Sequence, residues 1–223
     1  MCGRFTVQAS QEEMVLHFSV RGLLYDHSPA DNVTPTNEVS AVSALERSDQ
    51  RILEKFYWGL VPSWSRDMLK APRMINARSE TVFEKNAFRA AIKSRRCLIP
   101  ATGFYEWNRL TRQPYCFSMK TSKLFALAGL YEEWTAPDGS PLRSCTILTT
   151  EANDVVRSVH ERMPVLIRKS GYGVWLDRHV HAERDLKPFF QPWSALDMDC
   201  LAIDKSVVTR QRVPTPKTGI LDL

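Results

Sequence analysis

The sequence predicts an α+β fold built on a largely antiparallel sheet. Three observations lead there: β-rich runs cluster in the middle of the chain, helical patterns are inserted around them, and no βαβ alternation occurs. No repeat or low-complexity linker divides the chain, so residues 1–223 read as a single domain.

The elements follow in order. Ser10-Gln11-Glu12-Glu13 is a capping box ahead of a short helix that carries Met14 and Phe18 on one face. The stretch DHSPADNVTPTNEV, with Pro29, Pro35 and several Asx residues, reads as a loop. RILEKFYWGLVPSW begins as a strand, with Ile52, Phe56, Trp58 and Leu60 at period two, and turns at Gly59 and Pro62. Phe83, Phe88, Ala91 and Ile92 have the spacing of an amphipathic helix over residues 81–93. Four β-rich runs come next: RCLIPATGFYEW, QPYCFSMK, LFALAGLYEEW and RSCTILTT, the last two joined by a Pro137-Asp138-Gly139 turn. TEANDVVRSVH reads as a helix, RMPVLI as a strand, GYGVWL and AERDLKPFF as short helices, and DMDCLAI as a late strand. The tail TRQRVPTPKTGILDL is polar and irregular.

Composition narrows the function. Of 223 residues, 43% are hydrophobic and 25% charged, which suits a soluble globular chain with a sizeable core. No apolar run reaches membrane-spanning length, and the N-terminus lacks the layout of a secretory signal. The net charge of +5 permits phosphate binding without demanding it. Five scattered cysteines form no CxxC pair and no disulfide framework. Cys97, Cys116, Cys145 and Cys200 read as small buried hydrophobes in a reducing cytoplasm.

Cys2 is different. If Met1 is trimmed, Cys2 carries an α-amine titrating near ~8 and a thiol near ~8.5 on adjacent carbons. Such a 1,2-aminothiol condenses with aldehydes: the amine forms an imine and the thiol closes it to a thiazolidine. The structural alternative is a chance residue at a frayed terminus. His160 ends a predicted helix and precedes a strand, a junction suited to a catalytic group or to a satisfied core histidine. His17, His27, His179 and His181 read as structural, although the last two form an H-x-H pair. Glu106 shares a strand face with Phe104 and is either an interior carboxyl with a raised pKa or an exposed glutamate. Asn76 and Arg78 offer an amide and a phosphate fork on alternate residues; alternatively Asn76 or Ser79 caps a helix. Trp58 reads as core, whereas Trp64 beyond Pro62 reads as exposed and able to stack on bases.

MCGRFT at the extreme N-terminus, NVTPT, WGLVPSW, INARSET, RRCLIPATGFYEW, AGLYEEW and HERMPVLI, in this order, strongly resemble the SOS-response-associated peptidase (SRAP) family, whose members bind abasic sites in DNA. The resemblance is strongest over residues 2–166 and looser over 168–223, and Thr34 stands where the family more usually has alanine. It implies a partly barrel-like sheet surrounded by helices, without cofactor or metal. It also implies a monomer that acts on abasic sites in single-stranded DNA and caps them through Cys2. In that reading Asn76 orients the Cys2 amine or the sugar, Glu106 shuttles protons, and His160 does acid–base work that includes reversal. Gly3, Arg4, Asn32, Trp64, Arg78 and Arg162 contact the DNA, and the protein is cytoplasmic, nucleoid-associated when bound. Two other readings are a thiol peptidase using Cys2, His160 and Glu106 or Asn76, whose activity includes removal of Met1, and a noncatalytic nucleic-acid reader. Only capture of the aldehyde needs the free α-amine of Cys2.

Overall fold

The computed structural model of the protein describes residues 2–209, apart from 46, 47, 49, 69 and 72. The polar tail beyond residue 209 lies outside them. A buried strand, β1 (Phe5–Val7), leads into α1 (Gln11–Phe18), whose predicted capping box is present: Ser10 Oγ accepts from Glu13 N–H and Glu13 accepts from Ser10 N–H. Then come β2 (Val20–Leu23), β3 (Ala30–Val33), β4 (Glu38–Ala44), β5 (Arg51–Trp58) and β6 (Asn76–Arg78). A short α2 (Ala91–Ser94) precedes β7 (Arg96–Ala101), β8 (Gly103–Trp107), β9 (Pro114–Met119), β10 (Phe125–Thr135) and β11 (Pro141–Glu151). The chain closes with α3 (Asp154–Arg157), β12 (Arg162–Pro164), β13 (Leu166–Ile167), α4 (Tyr172–Leu176), α5 (Glu183–Leu186), β14 (Met198–Ala202) and α6 (Lys205–Thr209).

Five strands form a ring. β11 pairs β10, β10 pairs β7, β7 pairs β4 and β4 pairs β5, all antiparallel. A parallel seam, Ser144↔Tyr57 and Cys145↔Trp58, joins β5 back to β11. Closure satisfies the strand edges of the ring, the usual solution for a strongly twisted sheet. The fold is therefore a single α+β domain with a mixed, mostly antiparallel sheet, in which a five-stranded barrel stands beside a second sheet ordered β14-β9-β8-β1-β3. One core cluster joins the two, running from Phe56, Trp58 and Ile147 of the barrel to Cys2, Phe5, Phe104 and Phe117 of the smaller sheet. Helices cover the outer face: Phe18 of α1 stacks on Tyr172 of α4 with centroids 5.3 Å apart, and Trp175 Nε1 donates to the Cys97 carbonyl of β7 at 2.9 Å.

Several expectations need correction. The Asx- and Pro-rich segment contains β3, because β1 offers it a partner at Phe5↔Val33 and Val7↔Ala30. Residues 81–93 do not form one helix. The chain passes through successive turns, with isolated bonds such as Lys85 N–H to Thr81 C=O, before the four residues of α2. Phe83 packs on Phe190 at 6.2 Å, so tertiary contact overrides the helical period. The helix expected in TEANDVVRSVH shrinks to α3, and RMPVLI divides into β12 and β13 at Val165. Cys116 and Cys200 are half-buried rather than core.

The small sheet grips β1 closely at Gly103. A Cβ there would meet Cys116 Sγ at 2.9 Å, Thr6 Cγ2 at 3.1 Å and the Phe117 carbonyl at 3.3 Å. Gly103→Ala is expected to destabilise by about 1–3 kcal/mol through overpacking. Adding Cys116→Ala should recover part of that loss. Thermal unfolding of the two variants checks it, and an unchanged melting temperature for the single variant would show that the gap can relax.

Candidate functional site

β1 is pinned to β8 at Phe5↔Phe104 and Thr6↔Gly103, and Tyr105 N–H donates to the Arg4 carbonyl at 2.9 Å. Extending that register two residues toward the N-terminus sets Gly3 opposite Glu106. Cys2 is fully buried, and its thiol points at the Arg4 carbonyl 4.0 Å away. Burial, reinforced by the charge of Glu106, pushes the thiol far up from its ordinary range and keeps it protonated.

Asn76 arrives from the opposite side. Parallel pairing of β6 with β11, Ile147↔Asn76 through Thr149↔Arg78, fixes its backbone, which excludes the helix-cap alternative. Its Nδ2 donates to the Cys2 carbonyl at 3.1 Å. Its Oδ1 is buried and has no hydrogen-bond partner among the described residues. An orphaned buried acceptor is costly, and here it stands beside Cys2 ready for an N–H or O–H donor.

Glu106 is 2% exposed, on the interior face. Phe104 of the same face stacks on Phe117 at 5.1 Å, and this packing resolves the choice that periodicity left open. Burial raises the Glu106 carboxyl to about 7, partly opposed by Arg109, so it exchanges protons near neutrality. His160 is also buried, after the end of α3, with its N–H on the Val156 carbonyl at 2.8 Å. Its Nδ1 accepts from Arg162 N–H at 3.0 Å, which leaves the proton of the neutral ring on Nε2. Burial lowers its pKa, and the positive charge of Arg109 acts in the same direction.

The expected DNA-contacting residues fall into two groups. Arg78 is exposed and lines a 460 Å³ cavity with Glu151, Arg157, Glu161 and Arg162. Trp64 is exposed too, at 58%. The others are engaged within the chain. Arg162 makes a two-pronged ion pair with Glu80 and donates to the Thr149 carbonyl at 2.7 Å. Burial would raise Glu80, but the Arg162 fork outweighs it and holds Glu80 below its ordinary range. Arg4 donates to Asn32 Oδ1 at 3.0 Å and to the Val208 carbonyl at 2.7 Å, and Asn32 Nδ2 donates to the same carbonyl at 3.1 Å. Arg4 and Asn32 thus tie β1 and β3 to α6. They also line a larger groove of 930 Å³, which none of Cys2, Asn76, Glu106 or His160 lines. In that groove His27 is no bare loop residue, since its Nδ1 lies 2.8 Å from Ser40 Oγ. Gly3 is half-buried at the start of β1.

Sequence reasoning missed Glu80, Arg109 and Glu161. Glu80 and Glu161 lie within the INARSET and HERMPVLI motifs but received no role, Arg109 lies in no motif, and only the fold gives each its partner. Among the described residues no group of three or more His, Cys, Asp or Glu is arranged to hold a metal ion, and no helix is long and apolar enough to cross a membrane.

Residues 1–210 match the family described as SOS response associated peptidase (SRAP). This chain belongs to that family. Curated members include abasic site processing protein YoqW of Bacillus subtilis, 38% identical over 93% of this chain and 94% of that protein. Abasic site processing protein HMCES of Mus musculus is 32% identical over 58% of this chain and 46% of that protein. The SRAP fold recurs in crystal structures. A Bacteroides thetaiotaomicron protein superposes with a TM-score of 0.81 at 22% identity, covering 94% of this chain and 100% of its own. A Bordetella bronchiseptica protein does so with 0.78 at 26%, covering 91% and 100%.

Proposed function

We propose that this SRAP protein captures abasic sites in single-stranded DNA as a covalent thiazolidine on Cys2, once Met1 has been removed. The chemistry balances. The open form of an abasic deoxyribose presents an aldehyde at C1′; the Cys2 amine adds to it and water leaves to give an imine. The thiol then adds across the C=N bond, its proton passing to nitrogen. The observation that carries the reading is Cys2 held beside an orphaned Asn76 acceptor and a carboxyl titrating near 7. Asn76 Oδ1 would accept from the amine, Glu106 would protonate the departing hydroxyl, and neutral His160 would pass protons in either direction. The names of the curated relatives support the lesion class. A single strand is the expected form because its lesion is already unstacked.

The thiol-peptidase reading has less support, because the Cys2 thiol is held protonated and points at a backbone carbonyl, not at His160. The test is intact mass. Protein lacking Met1, incubated with an abasic oligonucleotide, should gain the oligonucleotide's mass less one water, and no gain would overturn the proposal.

Two further outcomes are expected. Arg78 is exposed, so Arg78→Ala should weaken binding to any sequence and reduce the slope of log affinity against log salt by about one unit. An unchanged slope would place the phosphates elsewhere. His160→Gln should slow release of DNA from a preformed adduct at least as much as it slows formation. Chasing the adduct with competitor abasic DNA measures this, and wild-type release would reduce His160 to a buttress.

A further inference from the structure

Arg109 belongs to no motif, yet it reaches both halves of the site. It stands at the turn between β8 and β9, where Asn108 Oδ1 accepts from the Leu110 and Thr111 N–H groups at 3.0 and 3.1 Å. Arg112, three residues on, takes a left-handed φ of 58°. From this turn the guanidinium crosses to the segment after α3 and meets both oxygens of Glu161, Nη2 to Oε1 at 2.8 Å and Nη1 to Oε2 at 3.4 Å. Glu161 directly follows His160, and Arg109 lies three residues beyond Glu106.

We infer that Arg109 is a positioning residue, whose ion pair with Glu161 sets the Glu106 strand against the His160 segment and biases which of the two holds the proton. The inference rests on the acid–base roles proposed above. Both members of the pair are well exposed, at 61% and 63%, so it adds little stability and its effect is local electrostatics. The positive charge pulls Glu106 toward the carboxylate, against burial, and pulls His160 toward the neutral ring, alongside burial. Other groups bearing on the two include the Cys2 thiol and the positive chain terminus on the Glu106 side, and Glu161, Arg162 and the same terminus on the His160 side. Arg78 acts on Glu161 in turn. Among the described residues, the field of Arg109 reaches both Glu106 and His160.

Removing that charge favours the protonated form of each group, so both titrations move to higher pH. In Arg109→Gln the His160 ring, followed by NMR in DNA-free protein, should titrate higher by roughly half a pH unit or more. The alkaline limb of adduct formation should move the same way. Arg109→Lys, which keeps the charge, should stay near wild type in both. An Arg109→Gln protein that titrates as wild type, or an Arg109→Lys protein that shifts as far as Gln, overturns the inference. The NMR arm needs no DNA. If wild-type protein forms no adduct but the titration still moves, the DNA reading fails while the role of Arg109 stands.

Discussion

Cys2→Ala protein is expected to give no stable adduct with an abasic single-stranded oligonucleotide under conditions where the wild-type chain is fully converted. Alanine keeps the α-amine and loses only the thiol. The variant can therefore reach the imine but cannot close the ring, and the imine returns to aldehyde and amine by adding water. A hydride reductant should restore a covalent product by trapping that imine, which separates loss of ring closure from loss of binding. The thiol is fully buried and held protonated, so on the proposed chemistry its proton must pass to nitrogen as the ring closes, a step alanine has no group to perform. Equal yield and stability from the alanine protein without reductant would falsify the thiazolidine.

Glu106→Gln is expected to slow adduct formation by roughly 10²-fold or more, the usual range for one general acid–base group. The sign of the pH dependence follows from its position. With the carboxyl at about 7, the protonated donor is plentiful below neutrality and is depleted as pH rises through that value. The Cys2 amine must be unprotonated, so its contribution grows toward ~8. Wild-type formation should therefore be bell-shaped around neutrality, with the alkaline limb belonging to Glu106. The glutamine variant should lose that limb and keep the acidic one. Single-turnover rates across the pH range measure both, and an alkaline limb that survives in Glu106→Gln would assign it to another group.

The sequence spoke clearly wherever the signal was local. Ser10 and Glu13 announce α1, Pro137-Asp138-Gly139 announces the β10–β11 turn, and the β-rich run LFALAGLYEEW announces β10. Closure of the barrel was legible only through the family resemblance, because the seam joins residues 57–58 to 144–145 and neither segment carries a mark of the other. The sequence misled at 81–93, where a helical period arises from side chains that pack separately on distant neighbours such as Phe190. In the site, Cys2 was conspicuous for its position. The burial of Glu106 was undecidable from alternation, since the deciding contact is Phe117 on another strand. The family resemblance implied that Arg162 contacts DNA, and only the fold reveals Glu80, 82 positions away in the chain, already in its grasp.

The docking of β1 on β8, and of Asn76 on β11, sets a timetable for synthesis. Cys2 is synthesised before β8, then β11, then the His160 segment, the elements that bury it. At ~5–20 residues per second the interval from Cys2 to His160 is roughly 8–32 s. Throughout that window Cys2 has no finished sheet to occupy. On the proposed chemistry, removal of Met1 would fall within this window, before folding encloses Cys2.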